Sequence, residues 1–237
     1  MIRLLLASAA ALALTALAVV DSAPAADAKP ATLFNGKDLS GWKLKGKEDK
    51  SKWVAGYAAM DEKANNKLNV EKTGTGEGQL VNSAGGGVDV YTEEKFGDGT
   101  YEIEFMVPKG SNSGLYIMGE YEVQILDSFG KDKVGPGDLG GLYGASAPKL
   151  NASKKPGEWQ KFVIEYQAPK FEGDKKVSNM KFIKVVLNDQ VIHENVEMKG
   201  PTPSGVTGKE APTGPLMIQG DHGPVALRSL KFTPKAK

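Results

Sequence analysis

Glu122, Gln124 and Asp127, in "YEVQILDSFG" (121–130), are the residues of this chain whose types and spacing suggest chemistry. Two carboxylates on one strand face are equipment for cleaving a glycosidic bond: one protonates the leaving oxygen and the other acts as base or nucleophile. Strict alternation places Tyr121, Val123 and Ile125 on one face and Glu122, Gln124 and Leu126 on the other, which leaves Asp127 on the apolar side. A β-bulge at Leu126 would take up one residue and return Asp127 to the face of Glu122. Even so, the two Cα atoms would lie roughly 13 Å apart. The side chains would have to lean together, or the sheet curve, to reach the ~5–9 Å of paired glycosidase carboxyls. The other reading is an outward polar strand face, with Asp127 and Ser128 opening a turn.

His222 lies in "QGDHGPV", between Gly220 and Gly223, which permit close backbone approach. It exchanges protons near neutral pH, and Asp221 or Gln219 could orient it; a turn histidine is the alternative. His193 alternates with Asn195 and Glu197, the pattern of a solvated strand face. Asn112 and Ser113 enter a strand just upstream, where short polar side chains either bond a sugar hydroxyl or close a turn. Trp42, Trp53 and Trp159 are assigned to the core. Tyr143, in a long Gly-rich loop, is the better aromatic candidate for a ligand contact.

The elements that must hold these residues are strands. Short runs rich in Val, Ile, Tyr and Phe recur at 88–92, 100–107, 114–118, 121–126, 158–167, 181–188, 191–197, 215–219 and 225–232. "LNDQVI" reads as a tight hairpin around Asn188 and Asp189. Nine or more strands with few helices predict an all-β, antiparallel two-sheet sandwich in one domain. Two irregular stretches interrupt them, 128–157 and 198–214, and loops as long as the first are commonly functional.

Residues 1–28 have the pattern of a secretory signal peptide: Arg3, an apolar run over 4–20, and small residues before a cut after Ala25 or Ala28. Export to the periplasm or medium is therefore expected, with residues 29–237 as the single mature domain. Removing 1–28 takes away Arg3, Asp21 and Asp27, leaving 29 basic against 27 acidic side chains. That balance gives no reason to expect nucleic acid or an anionic membrane as partner. The absence of Cys excludes disulfides and thiol catalysis, and two His are too few for a His-rich zinc site. Asp132 and Asp138 lack the spacing of an EF-hand, so no metal is expected.

"LFNGKDLSGWK", "EKFGDGTYEIEF", "SNSGLYIMGEYEVQILDSFG", "GGLYGASAPKLNASKKPGEWQ", "LNDQVIHENV" and "GPLMIQGDHGPVALRSLKF" follow one another in register over about residues 32–234. Together they resemble the 3-keto-disaccharide hydrolase domain family. The resemblance implies a concanavalin A-like jelly roll, no organic cofactor, and a carbohydrate substrate already oxidised at C3. It also implies catalysis by Glu122, Asp127 and His222, with Asn112, Gln124, Tyr143, Gln219 and Asp221 holding substrate. A lectin-like carbohydrate-binding protein without catalysis is the alternative on the same fold.

Overall fold

Alternation accounts for the central strands. Tyr101, Ile103 and Phe105 point inward from Gly99–Met106 (β7), and Phe162, Ile164 and Tyr166 do so from Gln160–Gln167 (β10). The rings of Phe105 and Phe162 stack with centroids 5.0 Å apart. Burying each such ring contributes about 1.5–3 kcal/mol.

The computed structural model describes residues 29–236; the expected signal peptide lies outside the described residues. The large sheet runs β14 (Gln190–Met198), β13 (Met180–Leu187), β10, β7, β16 (Val225–Pro234), β5 (Gln79–Asn82), β3 (Trp53–Met60) and β4 (Leu68–Glu71). A short β1 (Ala31–Thr32) pairs with β16. The small sheet runs β2 (Trp42–Lys45), β6 (Asp89–Thr92), β15 (Met217–Ile218), β8 (Asn112–Ile117) and β9 (Tyr121–Leu126). A two-stranded ribbon, β11 (Lys170–Glu172) and β12 (Lys175–Ser178), stands apart, and Glu48–Lys50 forms one 3-10 turn. All pairings are antiparallel, and the two sheets enclose one main core, as a two-layer jelly-roll sandwich requires.

The hairpin between β13 and β14 turns on Asn188 and Asp189, whose φ values of 50° and 66° are those of a type I′ turn. Two expectations are corrected here. His193 is 2% exposed rather than solvated, because the 128–157 segment folds over β14 and its imidazole Nε2 lies 2.8 Å from the carbonyl oxygen of Gly140. Burial holds its pKa below the ordinary value. Trp42 and Trp53 are core residues, but Trp159 is half-buried on the outer face of the large sheet, beneath the Arg228 guanidinium.

The long irregular segments roof the polar face of the small sheet. Gly140 N–H donates to the Gln124 carbonyl, Gln124 N–H to Gly141, and Tyr143 N–H to Glu122, so the first segment closes the edge of β9. The second is stitched down where Thr202 N–H donates to the Glu120 carbonyl and Glu122 N–H donates to Thr202 Oγ1. Side chains on the sheet face opposite the core thereby become buried.

Candidate active site

Register sets the site. Asn112 pairs with Leu126, Gly114 with Gln124 and Tyr116 with Glu122, without interruption. Asn112, Gly114, Tyr116, Glu122 and Gln124 therefore share the face of the small sheet that points away from the core. Gln219 joins them just beyond β15, its N–H bonded to the Gly114 carbonyl. His222 follows on the next turn, and Tyr143, Pro203 and Ser204 come from the roofing segments. These side chains line a cavity of about 140 Å3.

Glu122 lies on this face and is 4% exposed. Tyr116 donates its hydroxyl to Glu122 Oε2 at 3.0 Å. Burial raises the carboxyl from 4.5 to about 7; the charges of Asp89 and Asp221 add to that, while the Tyr116 bond and His222 oppose it. Burial and the Glu122 charge together hold the Tyr116 hydroxyl well above its usual range. Tyr116 also lies 3.2 Å from the Pro203 carbonyl, so its single proton has two acceptors. When Glu122 is ionised the proton serves the carboxylate. When Glu122 is protonated it can donate to the Tyr116 oxygen and free that proton for Pro203.

His222 and Asp221 form a half-exposed pair, with His222 Nδ1 on the Asp221 carboxylate. The turn that carries them is braced from several elements. Gly86 N–H donates to the Asp221 carbonyl, Asn82 Nδ2 to Gly220, and Gly220 N–H to Asp89 Oδ1. Ser111 Oγ donates to Pro224. Gly85 lies directly under the turn; a Cβ there would fall 2.0 Å from the His222 carbonyl oxygen.

Gln124 Nε2 donates to Asn112 Oδ1 at 3.0 Å, yet Gln124 Oε1 has no partner, nor has Gln219 Oε1. A buried acceptor left unsatisfied costs about 1–3 kcal/mol. Both acceptors belong to side chains that line the cavity.

Asp127 does not join this group. No bulge forms at Leu126, because Asn112 pairs with it directly and the strand ends there. Asp127 N–H instead donates to the Ser111 carbonyl, and its carboxylate accepts the N–H groups of Gly110 and Phe129. It lies in a separate hollow with Lys109, Phe129 and Lys155. The expected pair of carboxylates on one face is thus replaced by Glu122 with the Asp221–His222 pair. Among the described residues no cluster of His, Asp or Glu has metal-ligand geometry.

Sequence reasoning missed Gly114, Asp89, Asn82 and the role of Tyr116. Gly114 had a signal: glycine inside a strand marks a close approach. A Cβ at that position would sit 2.3 Å from Glu122 Oε1.

Two antiparallel sheets with a pocket that holds one buried carboxyl on the polar face of the smaller one define a β-sandwich protein with a polar, carboxyl-bearing site. The chain belongs to the family of 3-keto-alpha-glucoside-1,2-lyase-like domains, whose model matches residues 29–233. A 3-keto-disaccharide hydrolase of Bacteroides thetaiotaomicron is 34% identical over 106 residues, 44% of this chain and 32% of that protein, so the match spans about a third of the relative's length. A protein described as a glycosyl hydrolase from Parabacteroides distasonis superposes with a TM-score of 0.65 at 28% identity, over 89% of this chain and 84% of that one. A second protein of that description and organism gives 0.59 at 17% identity, over 87% and 94%, a likeness of fold.

Proposed function

We propose that this domain cleaves 3-keto-glycosides by elimination across C1 and C2, followed by addition of water. The observation that carries this reading is the buried Glu122 carboxyl, raised to about 7, in one cavity with His222. A carboxyl tuned near the working pH is suited to general-base catalysis. The ketone at C3 acidifies the hydrogen on C2. Glu122 takes that proton, and its bonding electrons form the C2–C3 enolate. The enolate collapses to a C1–C2 double bond as the C1–O bond breaks, and His222, oriented by Asp221, protonates the departing oxygen. The C3 ketone is re-formed as the leaving group departs; water then adds its oxygen to C1 and a proton to C2, which saturates the C1–C2 bond and completes net hydrolysis. Asn112, Gln124 and Gln219 hold the ring hydroxyls. The signal-like pattern of residues 1–28 supports export of the domain to the periplasm or medium.

Incubation with a 3-keto-disaccharide should release sugar, and His222→Ala should slow that release by about a hundredfold. Binding without release by the wild type would leave the lectin-like alternative and remove the enzymatic one. Asp127→Asn should keep turnover within about threefold while lowering stability by about 1 kcal/mol, through weakened loop bonds. Thermal unfolding beside an activity assay checks both; a hundredfold loss with the fold intact would return Asp127 to the chemistry.

A further inference from the structure

A second buried carboxylate, outside the reaction proposed above, shapes the loop over the Glu122 cavity. Met118 and Gly119, with φ values of 56° and 73°, form the tight turn between β8 and β9, and Glu120 follows them. Glu120 is 4% exposed. Its carbonyl accepts the N–H and the Oγ1 hydroxyl of Thr202. Its Oε1 accepts the N–H and the hydroxyl of Thr207, each at 2.8 Å, and its Oε2 accepts Gly208 N–H at 3.0 Å. Val206 N–H donates to the neighbouring Gly119 carbonyl. The stretch 202–208 is thus wound around one residue. Gly205 closes the winding, since a Cβ there would fall 2.1 Å from Glu120 Oε2. An ionised carboxylate suits such a set of donors, because it only accepts and its charge strengthens each bond.

Between the anchors at Thr202 and Thr207 lie Pro203 and Ser204, which line the cavity. The Pro203 carbonyl takes the Tyr116 hydroxyl at 3.2 Å, in competition with Glu122 Oε2 at 3.0 Å. The Ser204 carbonyl accepts Lys45 Nζ. With both anchors in place that competition is fixed, and the loop keeps water from Glu122. Release of the loop would leave the Tyr116 proton to Glu122 alone and let water reach the carboxyl. Both changes favour the ionised form. The other charged groups that face Glu122 would stay in place. Asp89 is held in β6, and Asp221 and His222 sit on the turn braced by Gly86, Asn82 and Asp89. Lys45 also remains paired with Asp89, at 3.3 Å.

We propose that Glu120 is a positioning residue of this site: its carboxylate fixes the loop that keeps the Pro203 carbonyl on Tyr116 and water away from Glu122. This rests on the reaction proposed above. Glu120→Gln sets an amide N–H against the donors of either Gly208 or Thr207, so the loop loses part of its anchor while the sheets keep their pairing. The acid limb of the kcat/KM profile for a 3-keto-disaccharide reports the base of the free enzyme. In Glu120→Gln that limb is expected to move down by at least about one pH unit, and the plateau above it to fall about tenfold. Thr207→Val removes one donor from an exposed loop residue and should move the limb the same way by a smaller step. A role in stability alone would lower the melting temperature and leave the limb in place. A limb unmoved in both variants, with circular dichroism as in the wild type, overturns the proposal. Should Glu120→Gln fail to fold, Thr207→Val decides by the same reading. Carbon NMR of labelled glutamate follows the Glu122 carboxyl without substrate, its signal assigned by its loss in Glu122→Gln. If the wild type turns nothing over, the reaction reading fails and this titration decides the placement alone. A Glu122 midpoint lowered by at least about one unit in Glu120→Gln supports it, and an unchanged midpoint overturns it.

Discussion

Glu122→Gln is expected to abolish turnover and, above pH 7, to make the protein more stable. The loss is at least about a hundredfold if Glu122 is the base that takes the C2 proton. The gain follows from burial. An ionised carboxylate at this position lacks most of its hydration, and the charges of Asp89 and Asp221 repel it. The separation between 4.5 and about 7 corresponds to at most roughly 3 kcal/mol. Its sign with pH is fixed by linkage. The folded state holds the Glu122 proton more tightly than the unfolded chain, so this group's stabilisation is complete below about 4.5 and is lost as pH rises through about 7. Glutamine is neutral throughout and still accepts the Tyr116 bond. Variant and wild type should therefore unfold together below about pH 4.5, diverge as pH rises toward 7 and stay apart above it, the variant melting about 2–4 °C higher for each kcal/mol. Melting curves from pH 4.5 to 8.5 measure this directly. A wild type more stable than the variant at pH 8 would mean that the carboxylate is well solvated or paired, and the proposed base would lose its tuning.

Much of this site was legible in the strand that carries it. Alternation in "YEVQIL" assigned Glu122 and Gln124 to one face and Tyr121, Val123 and Ile125 to the core, and the observed register agrees. What alternation could not supply was the end of the strand. Whether a bulge forms at Leu126 depends on its neighbour, and β8 begins at Asn112, directly opposite. Asp127 consequently leaves the sheet and spends both carboxylate oxygens on loop N–H groups. The error at His193 has the same origin: local pattern describes the strand, while burial was decided by a segment folding over it from some fifty residues away. β3 escaped notice because "WVAGYAAM" does not alternate. Its first half pairs with β5 in the large sheet, while its second half pairs with β4. Asn82 and Asp89 act on the His222 turn across more than 130 residues of sequence, which no window of local pattern contains.

Gly114→Ala carries the second large effect, and it separates placement of the carboxyl from its presence. Gly114 stands opposite Gln124 and next to Tyr116, in a row where every neighbour bears a side chain. Its bare Cα is the floor on which the Glu122 carboxyl rests. A methyl group there would lie 2.3 Å from Oε1 and 3.1 Å from Cδ, closer than nonbonded atoms approach. The backbone offers no relief, because β8 is paired with β9 on one side and β15 on the other. The side chain of Glu122 has to move instead, and it leaves the reach of the Tyr116 hydroxyl. Overpacking of this kind costs about 1–3 kcal/mol, within what a domain of this size tolerates. Displacing a reacting group by about 1 Å lowers rate by about a hundredfold. Gly114→Ala should thus fold, lose turnover nearly as fully as Glu122→Gln, and yet be less stable at pH 8 where Glu122→Gln is more so. Adding Glu122→Gln to Gly114→Ala should lower activity little further, since the base is already out of place. Full activity in Gly114→Ala would show that Glu122 works from another rotamer, and that its contact with this face of the sheet does not govern the reaction.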